Sequence, residues 1–476
     1  MLETAIIGRY EEQQHLQYLL QVHQSDLMVV TGRRRVGKTY LIRTYLKAHL
    51  DFELTGLHDG TFETQLQNFD FALREREAKT ARRPVPTNWL EAFQQLTEHL
   101  DRQKNQRKKV VFIDEFPWLD GHKSGFLAAF DWFWNTWAVQ QNILVIICGS
   151  AASWMIRKVI NNRGGLHNRV TQRMHLQPFT LHETEAYLKA GNVQLNRFQI
   201  AQLYMAFGGI PHYLKAIRTG ESAMQVIERI CFKKDGILVN EFDNLYRSMF
   251  RRPENHLTIV RSLAKKRKGY TRNEILANSM LTDGGTFSQT LEELEWSGFI
   301  ESYQPFGKQK KDRLYRLTDE YSLFYLTFMH KKTNVNWQQL SNSATWKSWC
   351  GFSFETLCMK HLPNIKQALG IAGTYAEYSS FFHPGNTESE GIQIDLLIDR
   401  KDQVINLCEM KFSEHPYILS KKEAAHIRRR IAIFQHLSKT RKTIFPTFIT
   451  TFGMEQNEHC LGLIQQHIEL NDLFRS

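Results

Sequence analysis

Cysteine is sparse in this chain and never closely spaced: Cys148, Cys231, Cys350, Cys358, Cys408 and Cys460 are scattered, with no CxxC pair. That pattern excludes a disulfide framework and a cysteine zinc site, and reduced thiols are expected. No apolar run approaches the ~18 residues that a membrane helix needs. The opening MLETAIIGRYEEQ lacks the basic and apolar regions of a secretory leader, so a cytoplasmic protein with no membrane partner is expected. Internal repeats and low-complexity segments are missing too. The 19 histidines show no HxxxH or similar spacing in a supporting context.

What is present is ordinary globular composition, 42% hydrophobic and 23% charged. A chain of 476 residues exceeds one compact core, so three or four domains are expected. The formal net charge of +12 favours an anionic partner such as nucleic acid. Its surplus gathers in AKKRK (264–268), GKQKKDR (307–313), KKEAAHIRRR (421–430) and SKTRK (438–442), all in the second half. Taken singly, each cluster also reads as a solvated face.

The chemistry-bearing text starts at LMVVTGRRRVGKTYLIRTY (27–45). An apolar strand runs into Gly32-Arg-Arg-Arg-Val-Gly37-Lys38-Thr39 and then into helix-forming residues, which fits GxxxxGK[ST] in its required context. The glycines let backbone N–H groups close around phosphates, with Arg35 and Val36 inside the loop. Lys38 would reach the β- and γ-phosphates of ATP and Thr39 would ligate Mg²⁺. KKVVFIDEFPWLD (108–120) is a buried strand ending in Asp114-Glu115. Asp114 suits a Mg²⁺ site and Glu115 the polarisation of the attacking water. A third strand, ILVIICGS (143–150), puts Ser150 where a polar sensor could touch the γ-phosphate or that water. Arg169 is the first candidate for an arginine finger reaching a neighbouring nucleotide in a homo-oligomer; Arg163 and Arg173 compete, and surface charge is the bland reading of all three.

IIGRYEEQQHLQYLL (6–20), GRRRVGKT (32–39), FIDEFPWL (112–119), CGSAASWM (148–155) and FGGIPHYL (207–214) together resemble the AAA+-related archaeal-type ATPases of the STAND group. The resemblance implies that Ile7, Gly8 and Arg9 cup the adenine. It also implies that the GGIP turn, with Pro211, belongs to a helical lid over the nucleotide.

Residues 257–319 change rhythm: a helix, a Thr-capped helix (271–281), a third (286–297), then two strands joined at Phe306-Gly307. This reads as a winged helix-turn-helix. Lys308, Lys310 and Lys311 in the wing are placed to meet DNA phosphates, whereas Glu292, Glu293 and Glu295 on the expected recognition helix would repel them unless turned away. DNA docking and a packing role stand level.

After a linker at 333–350, the text reads helix (351–371, holding Glu355), AEYSSFF, QIDLLIDRKDQVINLCEMKF and KTIFPTFITTF. That is the order of the PD-(D/E)XK nuclease fold. Asp395 and Glu409 could share one or two Mg²⁺ or Mn²⁺ ions that activate water, Lys411 would offset developing charge, and Glu355 would complete the acidic shell. The segment resembles the DUF234-type nuclease-like domain appended to the same ATPases, with Gln393 where an acid sometimes stands. The aromatic stripe FDWFWNTW (130–137) reads as core or lid packing.

The expected fold class is therefore α/β: an AAA+-type P-loop NTPase core (1–178), a helical lid (179–246), a winged helix (247–332) and a restriction-endonuclease-like domain (345–476). The expected function is a DNA-directed ATPase carrying a metal-dependent nuclease-like domain. The alternative is an ATP-driven signalling switch whose C-terminal domain is inactive and binds DNA or a protein.

Overall fold

The computed structural model describes residues 6–77, 83–103, 107–150, 152–160, 168–250, 252–330, 336–385 and 391–475. They form two compact units, Met1–Pro178 and Phe179–Ser476.

In the first unit, β1 (Asp26–Thr31), β2 (Leu50–Thr55), β3 (Lys109–Asp114), β4 (Ile143–Cys148) and β5 (Gln172–His175) make one parallel sheet in the order β2-β3-β4-β1-β5. β1 and β4 are buried along their whole length, which is why their text is continuously apolar rather than alternating. Helices Phe62–Arg74 and Trp89–Arg102 start where the Thr61 and Asn88 side chains accept from backbone N–H groups of the first turn. The aromatic stripe lies in the core: Phe130, Phe133 and Trp134 are buried, and Phe133 stacks on Phe93 at 5.2 Å. In this strand order β4 separates the phosphate-loop strand β1 from the acidic strand β3, so three strand ends meet at one edge of the sheet.

The second unit begins with helices Leu181–Ala190 and Arg197–Phe207, followed by the Gly208-Gly209 turn. A Cβ on Gly209 would stand 1.9 Å from the Phe179 carbonyl oxygen, so only glycine fits. Three helices, Glu254–Leu263, Arg272–Ser279 and Gly285–Trp296, pack with a sheet of β6 (Tyr270–Thr271), β7 (Ile300–Tyr303) and β8 (Leu314–Leu317) in the order β6-β8-β7. This is the helix–helix–helix–hairpin succession expected of a winged helix. Its acidic residues turn largely inward. Glu293 is buried against His256 Nε2 at 2.8 Å, and Glu295 accepts from the Ser302 backbone N–H at 3.1 Å. The wing is not free at its base: Phe306 N–H donates to the Ser380 carbonyl at 2.7 Å and its ring meets Phe434 edge-on at 5.4 Å. Lys308 and Lys311 remain exposed.

The expected linker is corrected. Trp337, Trp346 and Trp349 are buried, ringed by Phe324 and Phe328, and the helix holding Glu355 starts at Ala344 and ends at Lys360. Three indoles on one short segment supply enough apolar area to be pulled into a core, whatever the Asn and Ser between them. His361 interrupts the helix. Its Nδ1–H donates to the Leu357 carbonyl at 2.8 Å, and its Nε2 accepts from the Leu181 N–H at 3.0 Å.

The last sheet contains β9 (Ala376–His383), β10 (Ile392–Arg400), β11 (Val404–Lys411), β12 (Thr443–Thr450) and β13 (Gln466–Glu469), in the order β13-β12-β11-β10-β9. β10 runs antiparallel to both neighbours, while β11, β12 and β13 are mutually parallel. The β9–β10 register slips between Ile394 and Leu397, a bulge beside Asp395 of the kind that re-aims a side chain. Helix Lys421–Ser438 covers the sheet through Ala424, Ile427 and Phe434. Among the described residues, no helix is long and apolar enough to cross a membrane.

Candidate functional site

At the sheet edge of the first unit, Gly32 takes φ 142°, and a Cβ there would lie 2.4 Å from the Leu176 carbonyl oxygen. The loop can pass this close to the backbone after β5 only as glycine. Arg35 (φ 72°) and Gly37 (φ 96°) carry the turn into helix Lys38–Leu46. Lys38 is 6% exposed, and its ammonium donates inward to the carbonyls of Gly32 at 2.8 Å and Arg33 at 3.0 Å. A cation held at the centre of a loop whose N–H groups open a helix is suited to phosphate.

Thr39 Oγ1 donates to Asp114 Oδ2 at 2.6 Å, while Asp114 Oδ1 accepts from the Glu115 N–H at 3.0 Å. A hydroxyl and a carboxylate oxygen are hard donors of the kind Mg²⁺ takes alongside phosphate oxygens, so Thr39 and Asp114 fit that ion. Glu115 stands at φ 45°, and this left-handed backbone swings its carboxylate to Ser150, whose N–H and hydroxyl donate at 3.2 and 3.0 Å. Burial raises the Glu115 carboxyl above its ordinary value, with the Ser150 N–H opposing. The two adjacent acids thus differ in partner: Asp114 meets Thr39 of the loop, and Glu115 meets Ser150.

Arg9 (φ 57°) donates through Nη2 to the Val36 carbonyl at 3.3 Å and pairs with Glu12, and Gln13 donates to the Gly8 carbonyl at 2.7 Å. The Ile7-Gly8-Arg9 turn is thereby seated on the phosphate loop. The structure puts Arg169 beside Asp131 on helix Phe126–Trp132, exposed and outside the Asp114–Glu115–Ser150 network. Arg173 is exposed on β5, and Arg163 lies outside the described residues. Pro211 opens the short helix Pro211–Leu214 in the second unit.

A second acidic cluster forms in the second unit. Burial first, then the charges of Asp395 and Glu409, push the Glu355 carboxyl up to about 8. Asp395, likewise raised by burial, accepts from the Gln393 amide. Glu409 is held differently: Lys411 Nζ lies 2.7 Å from one of its oxygens and Arg430 Nη2 2.5 Å from the other. Despite burial, these cations keep its carboxyl below the ordinary value. Both Glu409 oxygens are thus engaged by cations in this structure. Among the described residues, no group of three or more His, Cys, Asp and Glu side chains is arranged to hold a metal ion.

In the sequence Arg430 stands only within a basic cluster. The signal for its role is helical spacing: it follows Ala424 and Ile427 and precedes Phe434 on the buried face, so one of three consecutive arginines must point inward. Arg267 and Arg316, both near Glu355, are likewise hidden in basic text.

Residues 7–217 match a family described as an ATPase domain predominantly from Archaea. An uncharacterized protein of Methanocaldococcus jannaschii is 22% identical over 420 residues, covering 86% of this chain and 88% of its own. Among solved structures, the Walker-type ATPase of Pyrococcus abyssi is 18% identical with a TM-score of 0.51, over 67% of this chain and 96% of that one. The Aeropyrum pernix ORC2 protein is 14% identical with a TM-score of 0.42, over 68% and 95%. Residues 7–217 thus carry an archaeal-type ATPase domain, and the chain is a P-loop NTP hydrolase.

Proposed function

We propose that this protein is an ATP-driven switch acting on DNA, in which hydrolysis in the first unit sets the state of a DNA-binding, catalytically closed C-terminal part. In the first unit, Lys38 and the loop N–H groups bind the phosphates, Arg9 holds the adenine-side turn, and Thr39 and Asp114 hold Mg²⁺. The ion supplies charge neutralisation on the phosphates. Glu115, steered by Ser150, orients and polarises the attacking water. Arg169 is assigned to a neighbouring copy's nucleotide, and Pro211 to the lid.

One observation carries the choice of switch over nuclease: Arg430 and Lys411 occupy both oxygens of Glu409, the carboxylate a metal would need. DNA as the partner is supported by the +12 charge and by the exposed wing lysines, with the recognition helix freed of most repulsion because Glu293 and Glu295 face inward.

A nuclease is the second reading, favoured by the convergence of Glu355, Asp395 and Glu409 within one another's field on a mixed sheet. The deciding test incubates linear and supercoiled DNA with Mg²⁺ or Mn²⁺, with and without ATP, using wild type and Glu409→Ala. The switch expects ATP turnover and DNA binding with no cleavage. Cleavage by wild type that disappears in Glu409→Ala would establish the nuclease instead.

A further inference from the structure

Between the winged helix and the C-terminal sheet lies a cavity of about 330 Å³. Its two walls differ in chemistry. The winged-helix side supplies Arg267, Lys268 and Arg316; the other supplies Phe352 and Phe382, with Gln393 and Asp395. Arg267 Nη1 and Arg316 Nε are buried and have no hydrogen-bond partner, although other atoms of the same guanidinium groups bond to Thr327, Met359 and Glu301. Arg267, Lys268 and Arg316 put three cationic side chains in the lining of one cavity, which suits an anionic ligand. Phe352 and Phe382, 41% and 50% exposed, add two large aromatic side chains to the same lining. Lys268 Nζ stands 5.4 Å over the Phe382 ring. Gln393 and Asp395, bonded to each other, offer both an amide and a carboxylate. The carboxylates of Asp395 and Glu355 would repel a polyphosphate.

We infer that this cavity binds one nucleotide unit, a single phosphate on Arg267, Arg316 and Lys268 with the base stacked on Phe382 and Phe352 and its edge against the Gln393–Asp395 pair. Pockets for compact ligands begin near this volume. The unit is either a free mononucleotide or the end of a single strand. This deepens the proposed DNA-directed function and rests on it for the strand-end case alone.

The test uses the full chain, wild type and two variants, Lys268→Ala/Phe382→Ala, whose side chains are exposed, and Arg267→Gln. Lys421→Ala/Lys422→Ala, outside the cavity, controls for loss of charge. Each is titrated with thymidine monophosphate by calorimetry, in a Lys38→Ala background that disarms the phosphate loop. Each is also titrated with a 5′-phosphorylated oligothymidylate and a blunt duplex by fluorescence anisotropy. Losing one base stack is expected to cost about tenfold in affinity. A tenfold loss for the oligothymidylate in both cavity variants, but not in the control, supports a strand end. The same loss confined to thymidine monophosphate supports a free nucleotide. Unaltered affinity for both ligands in both variants, or no binding of either by wild type, overturns the proposal. If the duplex still binds in that case, the cavity assignment falls while the DNA reading stands.

Discussion

Two buried strands of this protein end in acids, and they end differently. At the end of β3, Asp114 meets a hydroxyl and Glu115 meets Ser150, so both carboxylates have neutral partners. At the end of β11, Glu409 meets two cations, Lys411 and Arg430. Neutral donors orient a carboxylate and leave its charge available to an ion or a water. Cations cancel that charge and tie it into the fold. An acid at a strand end is therefore not a site by itself; the partner decides whether it does chemistry or holds a domain together.

If the two acids differ in this way, the largest effect belongs to the phosphate loop. Lys38→Ala should lower ATP hydrolysis on the order of 100-fold or more, read by phosphate release, since a preorganised charge on the transferred phosphate is lost. Turnover near wild type would deny the first unit its role. Glu115→Gln should cut hydrolysis about 100-fold while ATP binding, followed with a fluorescent analogue, persists. Loss of binding as well would make Glu115 a structural residue.

At the second acid the readout should be stability instead. Arg430→Met strands a largely buried carboxylate and is expected to lower the C-terminal unfolding transition by about 3 kcal/mol in urea. Adding Glu409→Gln should recover most of that loss, and an Arg430→Met chain as stable as wild type would mean the clamp is idle. A comparable effect, confined to acid pH, concerns His361, which burial holds down to about 4. Its unfolded value lies near 6.5, so between those pH values the unfolded chain binds more protons. Stability is thus complete above about pH 6.5 and declines as pH falls toward 4, by up to about 3 kcal/mol from this group. The change is followed by thermal melting. His361→Gln should flatten that slope, and an unchanged slope would assign it to other groups.

Much of the first unit was legible because its signals are local. Gly32, Gly37, Lys38 and Thr39 lie within one turn of chain, and the Asp114-Glu115 pair directly follows an apolar run. The Trp337–Trp349 segment was misread because polar composition outweighed three indoles that tertiary packing gathers. In the C-terminal part the residues were found but their pairing was not. Asp395, Glu409 and Glu355 could be named from strand and helix positions, whereas Arg430 is 21 residues from Glu409 and shared a cluster with two look-alikes.

By itself, then, the sequence determined the phosphate loop, the acid pair, the winged-helix succession and the cationic surplus, because spacing along the chain sets backbone geometry and charge count directly. Tertiary structure alone decided that Glu115 turns to Ser150, that Glu293 and Glu295 turn inward, that Arg430 clamps Glu409, and that Arg267 and Arg316 line one cavity. The physical reason is that a charged side chain's behaviour depends on the partners within a few ångströms and on its burial, and those are fixed only when distant segments pack.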